Sequence, residues 1–222
     1  PIQEWFFSNN FANPHYWNHS FFIKVPMLDI GILRLSIVKL VEHHDAFRLH
    51  YRSVVDENNK AIVSHVQYYA DTCEVELKEL DISTFNAKIS SRELNLKVQD
   101  ILTEWQREFN IIDGPLFSIG YIYGYPDGSA RIHFALHHLI VDTVSWRILA
   151  NDIKTIYEGL FRSKKASSLE LLGEKGSSYR QWVKAVHKYA STHREEEKYW
   201  HNILADYSTS KTNLDLLIKS NN

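Results

Sequence analysis

The spacing of apolar residues predicts helices and strands in alternation along the chain. Apolar residues recur every three or four positions over about residues 29–44 and again over 89–109, which indicates two long amphipathic helices. Two apolar runs of β-forming residues, 116–123 and 131–138, flank a turn signal at 126–129, so a β-hairpin is predicted. Shorter elements are expected as follows: a helix at 1–7 and strands at 16–25, 61–69 and 74–80. The hairpin places the strand 131–138 inside a sheet, where a side chain can be held rigidly.

The stretch 130–149 changes its hydrophobic period near Asp142, so a strand, a sharp turn and a helix are predicted in that order. His137 and His138 stand where the strand ends, and successive strand residues point to opposite faces. One imidazole is therefore expected to be buried as support and the other to act as a reagent. A neutral imidazole suits general acid–base work, because its ordinary pKa lies near neutral pH. The spacing alone fits two packed, hydrogen-bonded histidines equally well.

Local structure is enough to explain three other polar positions in the sequence. Asp142 lies just before the predicted helix, where its spacing favours a helix N-cap with Ser145 as a partner. His19 lies in a predicted strand and could face a cavity, but it is interpreted as an ordinary strand residue. The pair His43-His44 repeats the same dipeptide at a helix end, where histidines satisfy terminal carbonyl groups, so no catalytic role is assigned to it.

The composition describes a globular protein with ample core-forming side chains. The chain has 222 residues, of which 44% are hydrophobic, and its formal net charge is −2. This near-neutral balance gives no electrostatic case for nucleic acid or a membrane surface as a partner. A lone cysteine, Cys73, and the lack of a charged-then-apolar leader favour a reducing, cytoplasmic location. No apolar run reaches the roughly 18 residues of a membrane span. Because it starts at Pro1 without a methionine, the chain is expected to be a piece of a longer protein.

Several motifs resemble those of one enzyme family. The run from His137 to Thr143 is similar to the His-His-x-x-x-Asp-Gly signature of the condensation and epimerization domains of nonribosomal peptide synthetases, with Thr143 at the glycine position. The continuation Val144-Ser145-Trp146-Arg147 resembles the epimerization branch more closely. Motifs spread in order along a chain are far more specific than a single motif. Further matching segments lie at 1–6, 45–49, 109–117, 179–182 and 195–200.

The resemblance implies an α/β (α+β) fold, namely a chloramphenicol acetyltransferase-like lobe with a mixed β-sheet flanked by helices. It assigns residues 1–205 to the N-terminal lobe of an epimerization or condensation-type domain, and residues 206–222 to a segment leading toward a missing C-terminal lobe. The opening residues 1–7 receive a packing role and no catalytic one. Residues 162–177 are rich in Lys, Ser, Leu and Gly, so they are either a linker or a partner-facing patch.

The implied reaction is epimerization at the α-carbon of an aminoacyl or peptidyl thioester, which a peptidyl carrier protein holds on its phosphopantetheine arm during antibiotic biosynthesis. The resemblance makes His138 the catalytic residue, His137 and Asp142 supporting residues, and Arg48 the ion-pair partner of Asp142. No cofactor is expected to bind directly, and cofactor-binding residues stay unassigned. A glutamate from the missing lobe would complete the site beside the adjacent synthetase domains, so this chain alone is expected to be inactive.

Three alternatives stay open. In a condensation domain the same histidine would position or deprotonate an amine that attacks the thioester carbonyl. A catalytically silent module that only docks the carrier protein is suggested by Thr143 and by the missing lobe. A metal site would use His133, His137, His138 and Asp142. Imidazoles split across two strand faces are poorly placed to share one ion, so no metal is expected.

Overall fold

The computed structural model describes residues 2–9, 11–58, 62–85, 90–163 and 165–220; for residue 63 and residues 212–220 it describes the backbone alone. The helices are α1 (Ile2–Ser8), α2 (Ile30–His43), α3 (Ser91–Gln106), α4 (Ser145–Arg162), α5 (Ser168–Leu172), α6 (Tyr179–Thr192) and α7 (Glu197–Ser220). The strands are β1 (Asn18–Pro26), β2 (Leu49–Val55), β3 (Ile62–Tyr69), β4 (Leu77–Asp81), β5 (Phe117–Tyr123) and β6 (Ser129–His137).

A four-stranded mixed sheet organises the first part of the chain, with the strand order β1-β6-β5-β4. Strand β6 pairs antiparallel with both β1 and β5, whereas β4 pairs parallel with β5. Strands β2 and β3 form a separate antiparallel pair. Strands β5 and β6 are buried along almost their whole length, as expected of strands that are covered on both faces. The predicted hairpin and the internal position of its second strand are therefore confirmed.

Helices cover both faces of this sheet, because alternate residues of β5 face opposite sides. Ile119 belongs to the main core, together with the apolar stripes of α2 and α4. Ile122 belongs to a second cluster with Leu102 of α3. Gly120 also faces α3, where any Cβ would overlap the ring of Trp105, so a glycine is what allows the helix to approach so closely. The predicted α/β (α+β) class, with helices flanking a mixed sheet, is confirmed.

The linker predicted at 162–177 is only partly a loop. Helix α5 lies inside it and begins with a capping box, in which Ser167 and Glu170 satisfy each other's backbone N–H groups. A serine followed three residues later by a glutamate is the sequence signal for this motif, and the interpretation as a linker missed it. Residue 164 lies outside the described residues.

The chain groups into two compact units, Pro1–Glu174 and Lys175–Asn222. The second unit consists mainly of α6 and α7, and α7 runs through position 205 without interruption. The assignment of residues 1–205 and 206–222 to different parts of a larger domain stays a prediction, and residues 221–222 lie outside the described residues. None of the described helices has the length and apolar character that crossing a membrane requires.

Candidate active site

The junction between β6 and α4 carries the paired histidines. Strand β6 ends at His137, helix α4 begins at Ser145, and a turn connects them. The backbone N–H of His137 donates to Leu116 O over 2.8 Å, and that of His138 donates to Trp17 O over 2.7 Å. Because Leu116 and Trp17 lead into β5 and β1, the backbone of both neighbouring strands holds the turn at its start.

His137 is buried and hydrogen-bonded at both ring nitrogens. Its side chain is fully enclosed, with Nε2 lying 2.7 Å from Pro14 O and Nδ1 lying 3.1 Å from Leu139 N. A carbonyl oxygen only accepts and an amide N–H only donates, so Nε2 carries the proton and Nδ1 accepts. Burial lowers the pKa of this imidazole to about 4, which keeps it neutral near pH 7. Both ring nitrogens are committed to backbone groups, and neither remains for a substrate.

His138, by contrast, is exposed. Its Nδ1 lies 3.0 Å from Val141 O, so Nδ1 carries the proton in the neutral ring. Among the described residues, none hydrogen-bonds Nε2, so that nitrogen keeps its lone pair available. The expected division into one buried and one exposed histidine is confirmed, while the catalytic role of His138 stays a prediction.

Two further rings lie beside His138. The ring centroid of His19, on β1, is 4.1 Å from that of His138, with 52° between the ring planes. Trp146, in the first turn of α4, lies 6.2 Å from His19 in a nearly parallel plane. Partial burial, and then the charge of a protonated His138, lower the pKa of His19. The interpretation of His19 as an ordinary strand residue missed this contact, because it depends on the register in which β1 pairs with β6.

Asp142 stabilises the end of the turn through hydrogen bonds that its carboxylate accepts. Its Oδ1 accepts hydrogen bonds from Ser145 Oγ at 2.7 Å, from Ser145 N at 2.9 Å and from Val144 N at 3.1 Å. These bonds, led by that of the Ser145 hydroxyl, lower the pKa of the carboxyl group, so it is ionised at neutral pH. Asp142 thus caps the turn that enters α4, with Ser145 as its partner as predicted, although the helix itself starts at Ser145.

The predicted ion pair between Arg48 and Asp142 is wrong. Arg48 Nη2 donates to Asp45 Oδ1 at 2.7 Å, and Arg48 Nη1 donates to Ala70 O at 2.9 Å. Asp45 lies three residues away in the same 3₁₀ turn, so it competes for the guanidinium locally. Asp142 is meanwhile occupied by the backbone and hydroxyl of Ser145. Arg48 therefore ties the chain before β2 to the residue after β3, and any support that it gives to the site is indirect.

The short helix α1 also reaches the histidine turn. Gln3 Nε2 donates to Leu139 O at 3.0 Å and to Tyr51 Oη at 2.6 Å, and Tyr51 Oη donates to the same Leu139 O at 3.3 Å. Because Leu139 N–H donates to His137 Nδ1, side chains hold both backbone groups of Leu139. The sequence interpretation gave α1 a packing role alone, since a contact between positions 136 residues apart leaves no local signal.

Replacing Gln3 by methionine keeps the side-chain length and removes both donated hydrogen bonds. We expect the free energy of unfolding of the full chain to fall by about 1–2 kcal/mol, because the buried Leu139 carbonyl loses a donor. Urea unfolding followed by circular dichroism measures this change. Glu4→Gln, at an exposed position of the same helix, is the control and should change stability by less than about 0.5 kcal/mol. Equal losses in the two variants would contradict the role of Gln3.

His133 lies apart from the turn that holds His138. It is buried in β6, with its ring centroid 5.0 Å from that of Phe22 and 6.3 Å from that of Trp105. None of the described residues hydrogen-bonds its Nδ1, and burial lowers the pKa of His133 to about 4. Within the part of the chain that the structure describes, no group of three or more His, Cys, Asp or Glu side chains could hold a metal ion.

The fold and the turn together define the class of protein. A mixed sheet with helices on both faces, whose internal strand ends in His-His and enters a helix through an aspartate, is a condensation-type lobe. The chain belongs to the condensation-domain family, because the family model described as "Condensation domain" matches residues 1–217.

Curated relatives of the chain are peptide synthetases. The N-(5-amino-5-carboxypentanoyl)-L-cysteinyl-D-valine synthase of Amycolatopsis lactamdurans is 40% identical over 212 residues, which are 95% of this chain and 5% of that protein. Gramicidin S synthase 1 of Brevibacillus brevis is 32% identical over 206 residues, which are 91% of this chain and 17% of that protein. The chain therefore spans a small part of the length of these relatives.

Solved structures share the fold. The epimerization domain from the third module of tyrocidine synthetase B matches with a TM-score of 0.71 and 28% identity, over 91% of this chain and 43% of that chain. VibH, a nonribosomal peptide synthetase condensation enzyme, matches with a TM-score of 0.58 and 18% identity, over 91% of this chain and 44% of that chain. These likenesses confirm the predicted chloramphenicol acetyltransferase-like lobe.

Proposed function

We propose that the chain supplies the N-terminal lobe, residues 1–205, of an epimerization domain, and that His138 moves the α-proton of a thioester substrate. The substrate is an aminoacyl or peptidyl group on the phosphopantetheine arm of a peptidyl carrier protein. The observation that carries the proposal is the setting of the His138 ring. Its Nδ1 lies 3.0 Å from Val141 O, the residue is exposed, and none of the described residues hydrogen-bonds its Nε2.

This setting suits proton transfer at carbon. The α-proton of a thioester is weakly acidic, so a base must accept it while negative charge moves onto the thioester carbonyl oxygen. His138 Nε2 can accept that proton, and the resulting imidazolium keeps its Nδ1–H bond to Val141 O. The ionised Asp142 stabilises the imidazolium, as their favourable charge interaction indicates. His137 and the capped turn hold the ring in place and take no proton themselves.

Inversion also needs a group that delivers a proton to the opposite face of the α-carbon. We assign that group to a glutamate of a C-terminal lobe, by resemblance to the family. The match covers 43% of the tyrocidine epimerization domain chain, which leaves room for such a lobe. Residues 206–222 would lead toward it. The exposure of His138 fits this arrangement, because a second lobe would cover the histidine and exclude water from the reacting carbon.

Two comparisons support epimerization over condensation. The relative that is 40% identical is named for a product that contains D-valine, and a D-residue requires a stereochemical inversion. The tyrocidine epimerization domain is 28% identical to this chain and matches it with a TM-score of 0.71. The run Val144-Ser145-Trp146-Arg147, which enters α4 beside the histidines, resembles the epimerization branch as well.

Condensation is the second candidate. The family model carries that description, and the open Nε2 of His138 could take a proton from an attacking amine instead of from carbon. A silent docking module is the third, since Thr143 stands at the motif's glycine position in an exposed part of the turn.

A single assay separates these candidates. The synthetase domain that contains this chain, complete with its second lobe, is incubated in D₂O with a carrier protein bearing one L-aminoacyl thioester. We expect deuterium at the α-carbon and a mixture of L and D products after hydrolysis, measured by mass spectrometry and chiral chromatography. The loaded carrier without enzyme gives the background exchange. The 222-residue chain by itself should stay at that background.

Each of the other outcomes contradicts part of the proposal. A product that forms only when a second acyl donor is supplied, with no deuterium at the α-carbon, would establish condensation. Carrier binding with neither deuterium uptake nor product would establish a docking module. Exchange above background by the isolated chain would show that the second lobe is dispensable.

A further inference from the structure

A row of three rings runs across the strand-to-helix junction. His138 lies in the turn, His19 lies on the neighbouring strand β1, and Trp146 lies at the start of α4. The centroid distance is 4.1 Å between the two imidazoles and 6.2 Å between His19 and Trp146, whose planes differ by 19°. His19 therefore lies between the candidate catalytic ring and an aromatic ring that belongs to a helix.

The contact with His19 restrains a motion that hydrogen bonding alone does not. The bond from Nδ1 to Val141 O fixes one atom of the His138 ring, and the ring can still turn about the line that joins Cβ to Nδ1. A second ring packed at 4.1 Å blocks this rotation and fixes the direction in which Nε2 points. The backbone supports the same geometry, because His138 N–H donates to Trp17 O just before β1, two residues from His19. Rate depends steeply on such alignment, and a misplacement of about 1 Å can cost about 100-fold.

We infer that His19 is a positioning residue, which holds the His138 ring so that Nε2 faces the α-carbon of the substrate. This inference deepens the proposed function and rests on it for its catalytic part. It does not make His19 the second proton donor, since its ring lies against His138 and not across a substrate from it.

The charges around the pair decide where a proton resides. The titratable groups facing His138 are His19 from β1, His137 from the end of β6 and Asp142 from the far side of the turn. Two adjacent imidazoliums repel each other, and the charge of a protonated His138 lowers the pKa of His19. His19 therefore stays neutral when His138 has accepted the substrate's proton, and it can remain packed against the imidazolium.

The test compares two variants in the complete synthetase domain. His19→Ala removes the ring and should lower kcat for α-deuterium uptake about tenfold, with KM for the loaded carrier unchanged. His19→Phe restores a flat ring and should recover most of that rate. His193→Ala is the matched control, because it removes an imidazole that stacks at 3.9 Å on Tyr189 in α6, within the second unit. A wild-type kcat in His19→Ala, or a loss that appears in KM and equally in His19→Phe, would overturn the inference.

A second measurement does not depend on the reaction. In the full chain, NMR of the His138 ring protons should show a ring-current shift that disappears in His19→Ala and persists in His19→Phe. In His138→Gln the pKa of His19 should rise, because the neighbouring charge is gone. If the wild-type domain exchanges no α-proton, the proposed function fails, and these spectra alone decide whether His19 positions His138. Unchanged spectra in His19→Ala would overturn the inference.

Discussion

His138→Gln should lower the rate of α-proton exchange by the complete domain by about 10³-fold, within the range that general acid–base groups contribute. Glutamine retains a polar side chain of similar length but cannot accept a proton at neutral pH. The free energy of unfolding should change by less than about 0.5 kcal/mol, because His138 is exposed and, among the described residues, its side chain hydrogen-bonds Val141 O alone. Deuterium uptake at the α-carbon measures the first effect and urea unfolding the second.

The control for this variant is His187→Gln, which makes the same exchange at an exposed position of α6. It should leave both deuterium uptake and stability at the wild-type level. If His138→Gln retained more than about a tenth of the wild-type rate, His138 could not be the base, since such a group accounts for at least about 100-fold. A parallel loss of folding would instead point to a structural function for His138, contrary to its exposure.

Alternation along a strand explains why the division between the two histidines was predictable. Residues 137 and 138 straddle the end of an apolar run, so one ring had to enter the core and the other had to leave it. The hairpin signal at 126–129 placed that run inside a sheet, and the capping role of Asp142 followed from its distance to Ser145. Each of these inferences uses neighbours in sequence, for which period and spacing are sufficient.

The same reasoning could not predict contacts between segments that are distant in sequence. The motif predicted Arg48 as the partner of Asp142, but a nearer carboxylate, Asp45, binds the guanidinium. The bond from Gln3 to Leu139 O joins positions 136 residues apart and depends on how α1 packs against the turn. The His19 contact likewise depends on the register between β1 and β6. Motif spacing contains no information about competing partners or packing, so these three features required coordinates.

His137→Leu should lower the free energy of unfolding at pH 7 by about 2–3 kcal/mol, although leucine is apolar and similar in volume. The variant leaves Leu139 N–H and Pro14 O without the imidazole that now bonds both, and a buried unsatisfied group costs about 1–3 kcal/mol. His133→Leu is a matched control on the same strand, since His133 is equally buried but its Nδ1 has no partner to lose among the described residues. It should change stability at pH 7 by less than about 1 kcal/mol.

His133 and His137 should nevertheless contribute the same pH dependence to the free energy of unfolding. Each has a pKa of about 4 in the folded chain against an ordinary 6.5, because burial disfavours the charged ring. Between these values the unfolded chain binds more protons than the folded one, so stability is complete above pH 6.5 and falls as the pH drops toward 4. The loss is at most about 3 kcal/mol for each histidine, and it levels off below pH 4.

Urea unfolding of the wild-type chain and both leucine variants from pH 4 to 7.5 therefore separates two effects on stability, that of protonating the imidazole and that of its hydrogen bonds. Each variant lacks one of the two buried imidazoles. Its free energy of unfolding should therefore decline less steeply toward pH 4 than that of the wild-type chain, by a similar amount in both variants. At pH 7 the two variants should differ, because both ring nitrogens of His137 hydrogen-bond backbone groups, those of Pro14 and Leu139, which the leucine leaves unpaired. An unchanged slope in either variant would mean that its imidazole takes up a proton over the same pH range in the folded and unfolded chains, which would contradict the lowering of its pKa by burial.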